Sequence, residues 1–337
     1  MLRLIFAVSL TATLLSAASS YKLVKTIPVG GSGGWDYLAA DAHHRRLYVS
    51  HRTEVDVLNL DTNKLVGKIP DTDGVHGIAI ARRLNRGFVS DGLANQVTIF
   101  NLKTLATLST VKTGRDPDAI VYDPFTRRVF TFNGRSQDMT AIDAVSGRAI
   151  RTVALGGKPE FAVTDGHGNL YDNLEDKSEL IRIDPKTLQI EDRWPLAPCQ
   201  SPSGLAIDVQ HHRLFSVCRN SVMAVVDTDT GKVIAHLPTG PGTDAARFDA
   251  ARKLAFASNG GNGTLTVIGE QSPNRFSVLE NVRTERGART MALDTKTNRI
   301  YLSDARFAPA PAGQRGGHHR HAIVPGTFKL LVVAPQR

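Results

Sequence analysis

One stretch of this chain is written seven times. Its first copy, GGWDYLAADAHHRRLYVS at residues 33–50, has a polar residue after a glycine-rich approach, a short apolar run, an Asp-led basic turn and a second apolar run. The same grammar returns as VHGIAIARRLNRGFVS, PDAIVYDPFTRRVFTF, PEFAVTDGHGNLYDN, PSGLAIDVQHHRLFSV, TDAARFDAARKLAFAS and ARTMALDTKTNRIYLS. Aligned on Asp41, Ala81, Asp123, Asp165, Asp208, Asp249 and Asp294, the copies lie 40, 42, 42, 43, 41 and 45 residues apart. A period in the forties made of short strands is the signature of propeller blades, each a four-stranded sheet. The 337 residues, long enough for two average domains, therefore reduce to one all-β, seven-bladed β-propeller over residues 21–337, its core distributed between blades.

Within the first copy, residues 37–40 read as the innermost strand, 47–50 as the second, 55–60 as the third and Leu65–Ile69 as the outer strand. Asp, Asn, Thr and Gly recur between third and fourth strands and are turn formers bonding their own backbone. The last copy lacks an outer strand, and an insertion at 305–325 separates its second strand from its third. The opening segment YKLVKTIP, Tyr21–Pro28, has the form of an outer strand. It is expected to close the ring on blade seven, which removes two free sheet edges.

The strand pairs LYVS, GFVS, VFTF, LFSV and IYLS, with segments such as VVDTDTGK at Val225, carry a resemblance that covers nearly all of the chain after the leader. The chain resembles the YncE-like, YVTN-repeat family of seven-bladed β-propellers of the bacterial envelope. That resemblance implies the fold and an envelope location. It implies no single activity, because propellers host binding modules, lactonases, lyases and electron-transfer domains alike.

Residues 1–20 read as a signal peptide: Arg3 is the positive start, residues 4–15 are apolar, and small residues follow. The apolar run is too short for a membrane span and no other segment resembles one, so the mature protein is expected to be periplasmic or secreted, without a transmembrane anchor, and monomeric. Export bears on Cys199 and Cys218, which flank the inner hairpin of blade five. Two free buried thiols remain open as a reading, but both ends fall on one side of an antiparallel hairpin, which favours a disulfide in an oxidising compartment.

The chain carries a formal net charge of +9. Its basic residues, among them Arg45, Arg46, Arg127 and Arg128, fall in turns on one face of the toroid, a field that favours anionic lipids, glycans or nucleic acid. Nucleic acid is the less favoured partner, because the turns offer little aromatic surface beyond Phe125.

The opposite face holds the sharper signal. Five residues before each alignment point stand Asp36, His76, Asp118, Glu160, Ser203, Asp244 and Arg289, all expected at the start of an innermost strand and around one mouth of the central channel. Carboxylates gathered there repel unless a cation relieves them. Asp36, His76, Asp118, Glu160 and Asp244 are the candidate ligands of one divalent cation, with Ca²⁺, Mg²⁺, Mn²⁺ and Zn²⁺ all open. Trp35, Tyr37, Phe161 and Arg289 are candidate ligand-binding residues beside them. His51, Asp91, Asn133, Asn173, Glu175, Lys177, Arg219, Asn259 and Asp304, at or just after the ends of second strands, are expected to face the same way. The insertion, with His318, His319 and His321, reads as a mobile loop above this mouth.

No nucleophile elbow, phosphate-binding loop, paired-His zinc helix or haem-attachment motif is present. Three readings therefore stand: a binding protein taking a small molecule or an envelope protein at the acidic mouth; a metal-dependent lactonase or lyase with His76 or Asp118 as acid or base; and a scaffold using the basic face.

Overall fold

The computed structural model describes residues 20–308 and 323–336. The leader, apart from Ser20, and most of the 305–325 insertion, including His318, His319 and His321, lie outside the described residues. The chain forms seven four-stranded antiparallel sheets around a common axis, a seven-bladed β-propeller. Blades one to six each use four consecutive strands from inner to outer. Blade seven takes Met291–Asp294, Arg299–Asp304 and Lys329–Pro335 from the end of the chain and Tyr21–Pro28 from its start. That closing strand pairs from Tyr21 opposite Pro335 to Pro28 opposite Lys329, as its sequence predicts.

The blades are joined by an aromatic residue repeated at one register. Tyr48, Phe88, Phe130, Tyr171, Phe215, Phe256 and Tyr301 stand at the same place in the seven second strands, and none is more than 2% exposed. The core divides into seven clusters, each holding one of these rings together with residues of the following blade. Cutting such a ring to Ala would cost about 3–5 kcal/mol, because the neighbouring sheets are held apart by their own strands and cannot collapse into the gap.

A second seam is polar and uses the basic turns. The guanidinium of Arg86 donates to the carbonyls of Ala144 (3.0 Å) and Val145 (2.6 Å) in blade three. Arg128 donates to Pro185 (2.7 Å) and Lys186 (2.8 Å) in blade four. Arg46 reaches Leu102 and Lys103 in blade two, and Arg213 reaches Pro273 at 2.6 Å in blade six. Each of these arginines opens a second strand and ends on the third-to-fourth turn of the next blade. Much of the basic face is thus committed to holding the toroid together.

Cys199 and Cys218 are bonded to one another, their Cα atoms 5.6 Å apart, across the inner hairpin of blade five. Among the described residues no helix is long and apolar enough to cross a membrane.

Candidate ligand site at the acidic mouth

The seven ring residues are aimed by backbone irregularity. In blades two to six the ring residue is the second of its inner strand, and the pairing with the second strand slips at that point, for example between Val75 and Ile78 and between Pro117 and Ile120. A bulge leaves an additional residue unpaired and turns its side chain out of the regular alternation. In blades one and seven the inner strands are short, Leu38–Asp41 and Met291–Asp294, so Asp36 and Arg289 precede the strand instead of starting it.

The preceding blade then fixes the ring backbone. Ser90 Oγ donates to the Asp118 carbonyl (2.7 Å), Asn173 Nδ2 to that of Ser203 (2.7 Å) and Thr290 Oγ1 to that of Asp36 (2.7 Å). Ser258 does the same for Arg289, and the Tyr37 N–H for His76 at 3.1 Å. The level of the ring is therefore set by the seams between blades.

The ring divides into two halves. In blades one to three, His76 Nδ1 lies 2.6 Å from Asp36 Oδ2 and 3.6 Å from Asp118 Oδ1, and its Nε2 lies 3.6 Å from Asp116 Oδ1. Ligand atoms of Asp36, His76 and Asp118 all fall within 4.8 Å of one another. In the other half the acids have cationic partners. Lys158 bridges Glu160, at 3.3 Å, and Glu175, which also meets Arg219 at 2.7 Å. Asp244 accepts from Ser203 at 2.7 Å and lies 3.2 Å from Arg289. The five-residue ligand set read from the sequence is therefore not assembled around one point. Glu160 and Asp244 turn to ion pairs because Lys158 and Arg289 stand within their reach.

Charge state follows from this layout. Burial works against a charged imidazole at His76, but Asp118, Asp116 and Asp36 outweigh it and raise the group to about 11, an imidazolium at neutral pH. Burial pushes Asp118 up to about 7, helped by Asp36 and Asp116 and opposed by His76. Glu160 is carried to about 8 by burial, then by Asp118 and Glu175, which together outweigh the Lys158 contact. Burial is the leading cause at both groups, although the Asp118 side chain is 23% exposed and that of Glu160 9%.

Below the ring the channel is filled. The rings of Tyr37 and Phe161, from blades one and four, meet edge to face at 4.9 Å, and the Arg247 guanidinium lies over Phe161 at 5.2 Å. Burial lowers Arg247 to about 10. The inner-strand residue facing the seam aromatic is Ala39, Ala79, Val121, Val163, Ala206 and Ala292 in the other six blades, and Arg247 only in blade six. That departure from the repeat was a visible signal for a channel residue. Asp116, two residues before a ring position, offered a weaker one.

Two expectations do not hold. Trp35, expected beside the ring as a ligand-binding residue, instead stacks on Phe328 at 5.3 Å in the seam between blades seven and one, because neighbouring residues of an extended chain point in opposite directions and Asp36 takes the mouth. Glu175 and Arg219 do pair at the mouth and Asn173 bonds the Ser203 carbonyl of the next blade, but other second-strand ends face their own sheets. His51 meets Asp56 at 2.8 Å, Asp91 accepts from Thr98 at 2.6 Å, and Asn259 bonds Thr264 and Thr266, each at 2.9 Å. They are buried staples between strands two and three.

At the opposite face a cavity of about 1010 Å³ opens between blades one and three, lined by His43, His44, Arg82, Arg83, Tyr122 and Arg127 among others.

No family model and no curated protein matches the chain. Solved structures do. A chain of Kuenenia stuttgartiensis hydrazine synthase superimposes with a TM-score of 0.72 at 13% identity, covering 80% of this chain and 92% of that one. The structure of U3-55K superimposes with a TM-score of 0.73 at 8% identity, covering 95% and 99%. At these identities the likeness is one of propeller fold.

Proposed function

We propose that this chain is an exported propeller of the bacterial envelope, of the YncE-like kind, that binds a small ligand or envelope partner at its acidic mouth through a divalent cation held by Asp36, His76 and Asp118. The observation that carries the reading is the convergence of these three ring residues, from three successive blades, within 4.8 Å of one another. Two carboxylates and one imidazole suit Zn²⁺ or Mn²⁺ better than Ca²⁺, which takes six to eight oxygen ligands. Without the ion, the imidazolium of His76 supplies the positive charge. Ion uptake must displace that proton, so affinity rises with pH.

The test is thermal melting and calorimetry on metal-free protein. Zn²⁺ or Mn²⁺ is expected to raise the melting temperature, more at pH 8 than at pH 6, with the gain reduced in Asp36→Asn/Asp118→Asn. If none of Zn²⁺, Mn²⁺, Mg²⁺ or Ca²⁺ moves it, the metal is abandoned. Export is supported by the leader grammar and by the Cys199–Cys218 bond. Mass spectrometry of the mature protein should find an N-terminus near residues 19–21, and an intact Met1 would sink export.

One observation favours a second reading, a metal-dependent lactonase or lyase. Glu160, raised to about 8 and outside the three proposed ligands, holds a proton near neutral pH beside the proposed ion, as a general acid can. His76, at about 11, is the poorer base. A lactone panel with Zn²⁺ or Mn²⁺ tests this reading, and no turnover above background leaves the binding protein.

A further inference from the structure

The Asp that closes the first turn of a blade turns toward the next blade, and the seam answers it. Asp294 of blade seven takes both arms of the Arg45 guanidinium, each at 2.8 Å. Asp123 of blade three accepts from the Thr164 hydroxyl at 2.8 Å. At the seam between blades five and six, the residue that answers Asp208 is another acid, Glu270.

Its place in the repeat makes Glu270 an exception. The backbone N–H of Leu60, Leu102 and Ala144 donates to the turn residue Arg45, Asn85 or Arg127 of the same blade, and these three side chains are buried apolar groups packed into seams. The N–H of Glu270 makes the equivalent bond to Lys253. A carboxylate thus occupies a position that three other blades fill with Leu or Ala, and it is only 4% exposed. Neither of its oxygens receives a hydrogen bond, an unfavourable state for a buried carboxylate unless something else supplies positive charge.

The third group is His211, in the first turn of blade five. Its Nδ1 lies 2.7 Å from Asp208 Oδ2 and 3.0 Å from Glu270 Oε1, and it makes a hydrogen bond to neither. Three ligand atoms from two blades lie within 4.8 Å of one another, with His211 the only basic side chain contacting the two acids among the described residues.

We propose that Asp208, His211 and Glu270 form a second divalent-metal site, for an ion of the zinc class, that staples blade five to blade six. Imidazole nitrogen and carboxylate oxygen are both zinc donors, and three ligands are too few for Ca²⁺. Tetrahedral ligation with bonds of about 2.0–2.1 Å sets ligand atoms about 3.3 Å apart, so the two His211 contacts, at 2.7 and 3.0 Å, need to open by about 0.3–0.6 Å. The His211 side chain, 14% exposed, marks the side from which water would complete the shell. The ion would do for this seam what Arg45 does for the seam between blades seven and one.

The experiment uses metal-free mature protein titrated with Zn²⁺, read by calorimetric stoichiometry and by melting temperature. An Asp36→Asn/Asp118→Asn background silences the mouth, so the two sites are counted separately. In that background one equivalent of Zn²⁺ should still bind and raise the melting temperature. Glu270→Leu puts at this place the kind of apolar residue that blades one to three carry; it should melt, metal-free, no lower than its parent and lose both the equivalent and the shift. His211→Ala should lose them as well. The proposal is overturned if the silenced mouth leaves no zinc binding, or if Glu270→Leu keeps its equivalent, in which case a proton shared between the two acids accounts for the cluster. Failure of the mouth site alone would show differently, as wild type binding one equivalent that depends on Glu270 and not on Asp36.

Discussion

The two faces of this toroid use charge in opposite ways. On the basic face the charges repeat: Arg46, Arg86, Arg128 and Arg213 recur at one register, and each ends on backbone carbonyls of the next blade. At the acidic mouth the charges do not repeat. One register carries Asp, His, Asp, Glu, Ser, Asp and Arg, and the side chains answer one another across blades. Repetition marks the parts every blade needs to stand beside its neighbour. Variation at a register that the fold holds fixed marks the place where one ring can be specialised.

The largest test treats both faces together. Deleting residues 21–28 removes the strand that closes blade seven and should abolish cooperative melting of the whole toroid by circular dichroism. A deletion mutant that melts like wild type with only one frayed end would mean the faces are independent of ring closure.

Next in size, Arg128→Ala takes the donor from the carbonyls of Pro185 and Lys186 and should cost about 1.5–3 kcal/mol in denaturant unfolding. Metal uptake at the mouth should be unchanged. If stability holds and the mouth weakens instead, the division of labour between faces is wrong.

The mouth should declare itself through pH. Asp118 and Glu160, raised to about 7 and 8, bind protons more tightly folded than unfolded. They favour the fold below about pH 4–5 and withdraw that support as pH rises through 7 to 8. His76, raised to about 11, acts in the same sense, contributing in full below about pH 6.5 and losing its contribution towards pH 11. The wild-type melting temperature should fall between pH 5 and pH 8.5, by something on the order of 5 °C. Glu160→Gln should flatten the part between pH 5 and pH 8. An unchanged profile would remove Glu160 from the charged centre.

The smallest effect is expected at Arg82, Arg83 and Arg127, which line the basic cavity and make no carbonyl latch. Reversing all three to Glu should move stability by no more than about 0.5 kcal/mol per residue. Salt-sensitive binding of wild type to anionic glycans, lost in this variant, would restore the scaffold reading for that face.

Much of this was legible in the sequence, and the reason is the repeat. Seven aligned copies act as seven measurements of one structure, so the blade count, the closing strand Tyr21–Pro28 and the ring register could all be read before any coordinates. The errors fell on single residues. Trp35 and Asp36 are neighbours in sequence, yet one enters a seam core and the other the mouth. His51, Asp91 and Asn259 end their strands on the mouth side, but their polar atoms are used by Asp56, Thr98 and Thr266 inside their own sheets.

The sequence by itself determined the architecture, because a period of about forty residues with alternating apolar runs leaves short strands one way to bury their faces, blade against blade. It also determined which seven residues share a level. Only the tertiary structure decided how those seven divide, with His76 drawn between Asp36, Asp116 and Asp118 while Glu160 and Asp244 close on Lys158 and Arg289. That choice depends on distances of a few ångströms between side chains that, except for Lys158 and Glu160, stand forty or more residues apart, where Coulomb energies change steeply and a bulge of one residue settles which partner is met.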